Sequence, residues 1–414
     1  MADTIFALSS GAPPAAIGII RISGLAAAEA VISLSGRLPE ARKATYMRLC
    51  DHSGDTLDRA VVLWFPGPAT ATGEDLAELH LHGGRAVIGA VEETLGRMEK
   101  LRRATPGEFT RRAFANGRID LAEAEGLADL LSAETELQRK SAVAMAGGAL
   151  SREIETWREK LLMSSAAVEA VLDFADEDDV STLPADFAHN LGALRSELQG
   201  WLKRPGARLL REGFRVVLAG PPNAGKSSLF NAVVQSEAAI TAAVAGTTRD
   251  VLMRPVDLDG VPFLFFDTAG LRFDTDDEIE AIGIERAQGA LEEADLVLWL
   301  GPEGDAPDRA WQIDPQCDRV GRSVITRARH IVSAKTAEGL PGLRADLVAT
   351  ARGSMPRPGE AALSDRQHIL LGEAERMIAS AAAQTDPLLV AEDLRMARSA
   401  FDSLLGRTAT EDML

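Results

Sequence analysis

Apolar residues fall into three textures along the 414-residue chain. Up to about residue 117, short apolar runs such as AAIGIIRIS and RAVVLWFP alternate with Gly and Pro breaks, which predicts an α+β domain. From 118 to 212 no proline falls between Pro106 and Pro184, and LAEAEGLADLLSAETELQRKSAVAMA carries apolar positions three and four apart. That spacing predicts long amphipathic helices. From 213 to 352 the runs RVVLAG, PFLFFDTAG, ADLVLWLG and SVITR alternate with helical stretches, the pattern of βαβ units on a mainly parallel sheet. From 353 to 414 the helical texture returns in ILLGEAERMIASAAAQ and VAEDLRMARSAFDSLLG. The economical architecture is a discontinuous helical domain behind an α+β domain, interrupted by an inserted, doubly wound α/β domain.

Composition narrows the function. The net charge of -18 argues against a generally basic nucleic-acid coat. A local basic stretch, RRATPGEFTRRAFANGR, holds Arg102, Arg103, Arg111, Arg112 and Arg118 against one acid, Glu108, and reads equally as a solvated surface. No uncharged apolar run reaches the roughly 18 residues of a membrane span, and the N-terminus lacks a secretory pattern. Cys50 and Cys317 form no CxxC, so neither a disulfide framework nor a cysteine zinc site is indicated, which fits a reducing cytoplasm. His80 and His82 alternate on an expected strand, but no partner stands at a zinc spacing. The acidic LDFADEDD, Leu172 to Asp179, reads as a solvated cap or a face for a basic partner. Trp157 and Trp201 read as helix-packing residues.

The chemistry concentrates in RVVLAGPPNAGKSSLFNAVV. Gly220 to Ser227 match GxxxxGK(S/T) between a strand and a helix. Glycines let backbone N–H groups curl round phosphates, Lys226 supplies a point charge, and the Ser227 hydroxyl ligates Mg²⁺. Downstream, FLFFDTAG places Asp267 and Gly270 at a strand end as a DxxG element, AGTTRD offers Thr248 as a second Mg²⁺ ligand, and Ser333-Ala334-Lys335 forms a loop beside a base. Four elements in this order predict a small-GTPase-like domain. An NKxD base reader is expected after the strand preceding Ser333, where the sequence instead reads Thr326-Arg327-Ala328-Arg329. Arginine has no acceptor, so guanine selectivity is in question; Asp314 and Asp318 upstream are substitutes. The residue after DTAG is Leu271, which cannot orient water as the glutamine of Ras-type enzymes does, and Glu280 in the acidic stretch that follows is the alternative.

Together GPPNAGKSSLFNAV, AGTTRD, DTAGLR and EIEAIGIERA resemble the MnmE (TrmE) tRNA-modification GTPases. DTIFAL, IGIIRISG, TGEDLAELHLHGG and TPGEFTRRAFANGRIDLAEAEGLADLL resemble that family's folate-binding domain and the start of its helical domain. The resemblance covers nearly the whole chain. It implies an N-terminal tetrahydrofolate-binding and dimerisation domain (1–117), helical pieces at 118–212 and 353–414, and a G domain at 213–352. It implies a homodimeric, potassium-stimulated GTP hydrolase that works with the flavoprotein MnmG (GidA) in a heterotetramer. The pair adds a carboxymethylaminomethyl-type group at carbon 5 of the tRNA wobble uridine, with a 5-formyl- or methylene-tetrahydrofolate as one-carbon donor.

Carried onto this sequence, the resemblance puts the GTP site at Asn223, Ala224, Gly225, Lys226, Ser227 and Ser228, at Ala242, Ala243, Val244, Ala245, Gly246, Thr247 and Thr248, at Asp267, Thr268, Ala269 and Gly270, and at Ser333, Ala334 and Lys335. Mg²⁺ falls on Ser227 and Thr248. K⁺ falls on Asn223, Ala242, Val244 and Thr247, and Glu280 is the catalytic glutamate. Folate contacts fall on Arg21, Glu78 and Arg118, the last in place of a lysine. The family ends in Cys-Ile-Gly-Lys, whereas this chain stops at LLGRTATEDML. That leaves open a naturally truncated chain, an incomplete sequence or a reduced activity. Two other readings stay open: a folate- or partner-binding scaffold with a weakened nucleotide site, and a ribosome-assembly GTPase, which leaves the N-terminal motifs unexplained.

Overall fold

The computed structural model describes residues 3–173, 183–235, 252–267, 289, 291–319, 321 and 324–407. The chain divides into two compact units, Met1–Ala124 and Glu125–Leu414.

The first unit is built on a six-stranded sheet in the order β3-β4-β5-β2-β1-β6. Its strands are β1 (Thr4–Leu8), β2 (Ile17–Ser23), β3 (Thr45–Cys50), β4 (Thr56–Phe65), β5 (Leu76–His82) and β6 (Leu101–Arg103). Neighbours are antiparallel except β1 and β6. Period-two alternation sorts the side chains: Ile20, Ile22, Leu79 and Leu81 are buried, while Arg21, Glu78 and His80 take the opposite face. Helices α1 (Ala27–Ser35) and α2 (Arg85–Gly96) cover the apolar face with Ala30, Val31, Leu34, Ile88, Val91 and Leu95. Each fully buried leucine here contributes about 2 kcal/mol of transfer free energy. A Cβ on Gly18 would lie 2.5 Å from Cδ1 of Ile88, so any larger residue there would make that side chain turn aside. A short helix, α3 (Glu108–Ala115), follows β6, and its Phe109 ring lies 5.9 Å from the Arg21 guanidinium on the other face of the sheet.

The second unit joins a helical bundle to a second sheet. After α4 (Leu121–Ser132), which spans the division, come α5 (Glu136–Ala146), α6 (Ala149–Asp173), α7 (Phe187–Leu202) and α8 (Arg208–Glu212). The sheet and its helices follow: β7 (Phe214–Ala219), α9 (Lys226–Gln235), β8 (Leu252–Leu258), β9 (Val261–Asp267), β10 (Leu296–Trp299), β11 (Trp311–Asp314), β12 (His330–Ile331) and α10 (Leu340–Ser354). Two more helices, α11 (Asp365–Ala383) and α12 (Pro387–Leu405), return to α6 and α7. Trp157, fully buried, meets Trp201 edge-on at 6.0 Å and Phe401 at 5.9 Å, so both tryptophans pack helices. Capping boxes start α5 (Thr135, Gln138) and α11 (Ser364, Gln367).

The strand order is β12-β11-β10-β7-β9-β8, parallel except for the β8–β9 hairpin. This is the doubly wound sheet expected, with one correction. Residues 324–327 of SVITR form no strand, and the strand beside β10 is Trp311–Asp314. The helical and sheet segments share a core, since Leu137 of α5 packs in one cluster with Phe214, Leu218 and Phe263. Its amide donates to the Gly260 carbonyl at the hairpin turn (3.0 Å).

Candidate functional site

Strand β7 is central, flanked in parallel by β9 and β10, and its C-terminal end opens into the crevice where open α/β sheets take ligands. The chain leaves it through Gly220 at φ +146°, where a Cβ would sit 3.0 Å from the Leu300 carbonyl carbon. Asn223 adopts φ +61° and Gly225 φ +96°, which curls the loop back into α9. The Lys226 ammonium folds into that loop, donating to the carbonyls of Gly220 (2.8 Å) and Pro221 (2.9 Å). Burial pushes its pKa below the ordinary lysine value, and the Asp267 charge acts in the opposite direction. Ser227 and Ser228 are exposed in the first turn of α9, and Asp267 is buried at the end of the neighbouring β9. A hydroxyl and a carboxylate facing one phosphate cradle are hard oxygen donors of the kind Mg²⁺ takes.

At the base end the structure corrects the sequence reading. The segment leaving β11 is Pro315-Gln316-Cys317-Asp318, and the one leaving β12 is Ser333-Ala334-Lys335. The Ser333 hydroxyl donates to Oδ1 of Asp318 at 2.6 Å and accepts from the amides of Lys335 (3.2 Å) and Thr336 (3.1 Å). The Cys317 amide donates to the Val332 carbonyl (3.1 Å), lacing the two loops together. The Ser333 hydrogen bond holds the Asp318 carboxyl below its usual range. Thr326–Arg329 lie elsewhere. The Thr326 hydroxyl and Arg327 amide donate to Glu303, and the Arg329 guanidinium lies 3.8 Å from the Trp311 ring centroid. Of the two substitute acids, Asp314 is buried in the strand and Asp318 is exposed at the crevice. The signal for Asp318 is its place four residues past a strand hidden between Pro307 and Pro315.

Ala242, Ala243, Val244, Ala245, Gly246, Thr247, Thr248, Thr268, Ala269, Gly270, Leu271 and Glu280 lie outside the described residues.

In the first unit, Arg21 and Glu78 are direct cross-strand partners. Arg21 donates to Oε1 of Glu78 through Nε (3.1 Å) and a terminal nitrogen (2.7 Å). Burial alone would raise the Glu78 carboxyl, but the bonds from Arg21 and His80 outweigh it and hold the group low. Arg118 is exposed beside Gly73 and makes no hydrogen bond or ion pair with that couple among the described residues. Much of the basic stretch is neutralised internally. Arg102 pairs with Asp3 and Glu108, Arg103 with Glu92, and Arg112 with Asp3, Glu74 and Glu108. His82 pairs with Asp58 at 2.8 Å, and no group of three metal-ligating side chains occurs among the described residues. Nor is any described helix long and apolar enough to cross a membrane.

Residues 4–118 match the family model described as GTP-binding protein TrmE N-terminus, and residues 121–414 match the MnmE helical domain. The tRNA modification GTPase MnmE of Novosphingobium aromaticivorans is 61% identical over 426 residues, covering 100% of this chain and 98% of its own. The protein of the same name from Erythrobacter litoralis is 61% identical over 412 residues, with 100% and 97% covered. That from Rhizorhabdus wittichii is 54% identical over 416 residues, with 100% and 94% covered.

Proposed function

The chain belongs to the MnmE family of tRNA modification GTPases, and on that premise we propose that it binds GTP in the cradle after β7 and hydrolyses it while tRNA wobble uridine is modified at carbon 5. The observation that carries the guanine part is the Ser333–Asp318 bond of 2.6 Å. It uses one lone pair of Oδ1 and turns an anionic acceptor toward the crevice, where the adjacent N–H groups of guanine are complementary and adenine, with an acceptor at that edge, is not.

Lys226 and the N–H groups of α9 bind the β- and γ-phosphates, and Mg²⁺ is held from Ser227, with Thr248 completing its site. When bound, the metal neutralises charge between the phosphates. Asn223 is exposed at the rim of the loop and holds K⁺ with Ala242, Val244 and Thr247, while Glu280 serves the attacking water. A tetrahydrofolate one-carbon donor binds the first unit at Arg21, Glu78 and Arg118. The working assembly is a cytoplasmic homodimer joined by MnmG. The organisation proposed remains 1–117, 118–212, 213–352 and 353–414.

One of the two grounds for a scaffold with a weakened nucleotide site, the arginines at 327 and 329, loses its force, because both lie away from the Ser333–Asp318 pair. The other, the C-terminal sequence LLGRTATEDML in place of Cys-Ile-Gly-Lys, stands. Hydrolysis of GTP and ATP, each in KCl and in NaCl, tests the reading. Faster turnover of GTP in KCl is expected. Preference for ATP overturns the guanine assignment, and equal rates in both salts overturn the potassium site.

A further inference from the structure

The Glu78 carboxylate is held from two sides. Its Oε1 takes two N–H groups from Arg21, at 2.7 and 3.1 Å, while Nε2 of His80 lies 3.3 Å from Oε2. Glu78 and His80 are two residues apart on β5, so both project from the sheet face opposite α1 and α2. The cross-strand neighbours of His80 on that face are Ile19 and Val61, an apolar setting in which an aliphatic side chain would pack without any polar requirement. The imidazole there makes one polar contact among the described residues, and it is with Glu78.

A carboxylate offers about four lone-pair sites. Arg21 fills both on Oε1 and His80 fills one on Oε2, which leaves one acceptor site on Oε2. We propose that His80 is a positioning residue of the folate site, fixing the orientation of the Glu78 carboxylate so that Oε2 meets a pterin N–H. The proposal rests on the folate reading given above. His80 need not touch the ligand. It prevents Oε2 from rotating about the bond that Arg21 holds only at the other oxygen.

The test uses the full-length protein and 5-formyltetrahydrofolate, titrated calorimetrically into the unmodified chain, His80→Ala and His80→Gln, with a melting temperature for each. His80→Ala weakens binding roughly tenfold, because a carboxylate free to rotate loses part of its charge-assisted hydrogen bond to the pterin. His80→Gln recovers most of it, because its amide nitrogen reaches the same oxygen. Neither substitution lowers the melting temperature measurably, because the imidazole is partly exposed. Unchanged affinity in His80→Ala, or a glutamine no better than alanine, overturns the proposal. If the unmodified chain fails to bind the folate, it is the folate reading that falls. Carbon-13 titration of the Glu78 carboxyl then decides the positioning role. An upward shift of its midpoint in His80→Ala supports that role, and an unmoved midpoint overturns it.

Discussion

Ser333 donates its hydroxyl hydrogen to Asp318 across two loops that leave different strands, β12 and β11. Because the same oxygen accepts from the amides of Lys335 and Thr336, the serine fixes both loops with one side chain. Removing it frees the acid as well as the loop.

Asp318→Ala therefore lowers affinity for GDP by about a hundredfold or more, since two hydrogen bonds to a charged acceptor are lost. Asp318→Asn presents an amide donor in place of one oxygen and shifts preference toward a xanthine nucleotide, whose edge offers a carbonyl there. Fluorescent-nucleotide titrations with both bases check this.

Lys226→Ala lowers nucleotide affinity roughly a hundredfold or more through loss of charge-assisted phosphate contacts. The nucleotide-free protein melts only slightly earlier, because the cost of burying the ammonium offsets most of what its two hydrogen bonds to the Gly220 and Pro221 carbonyls contribute. Calorimetric titration and a thermal scan of the same sample separate the two effects.

Glu108 is almost fully buried, and the Arg102 hydrogen bond, with help from Thr105, holds its carboxyl far below the ordinary value of 4.5 against the effect of burial. A lowered acid stabilises the fold above its ordinary value, and that stabilisation drains away as pH falls through the folded one. The melting temperature of the unmodified chain accordingly drops more steeply between pH 5 and 3 (a window of about two units) than that of Glu108→Gln. Glu108→Ala costs about 1–2 kcal/mol near neutrality, because Arg102 and Arg112 lose a buried partner while keeping Asp3, and Arg112 keeps Glu74 as well.

Trp157→Ala empties the centre of the α6, α7, α11 and α12 bundle and costs about 3–5 kcal/mol. Chemical denaturation measures the loss, and GDP affinity of the folded fraction stays unchanged because the indole touches no part of the cradle.

The phosphate loop was legible because strand, glycines and lysine follow one another within a few residues and each has a single backbone role. The base end was not. Val324, Ile325 and Thr326 are β-branched and invite assignment as a strand, yet their segment is fastened to Glu303 instead. Trp311–Asp314 is four residues long and ends at a proline, and it becomes a strand only through pairing of Leu298 with Trp311 and of Ile313 with His330. Pairing across the fold, invisible in local propensity, relocates the acid. Arg21 and Glu78 are similarly distant in sequence and meet only through strand register.

Sharing a core between Leu137 and Phe263 has a practical cost. A fragment trimmed to 213–352 would carry away one wall of an oily seam and leave the other behind, wetting Phe214 and stripping the Gly260 carbonyl of its donor. An insertion that looks modular in sequence is thus grafted into its host, and a shorter piece made for study needs α5 and α8 brought along with it.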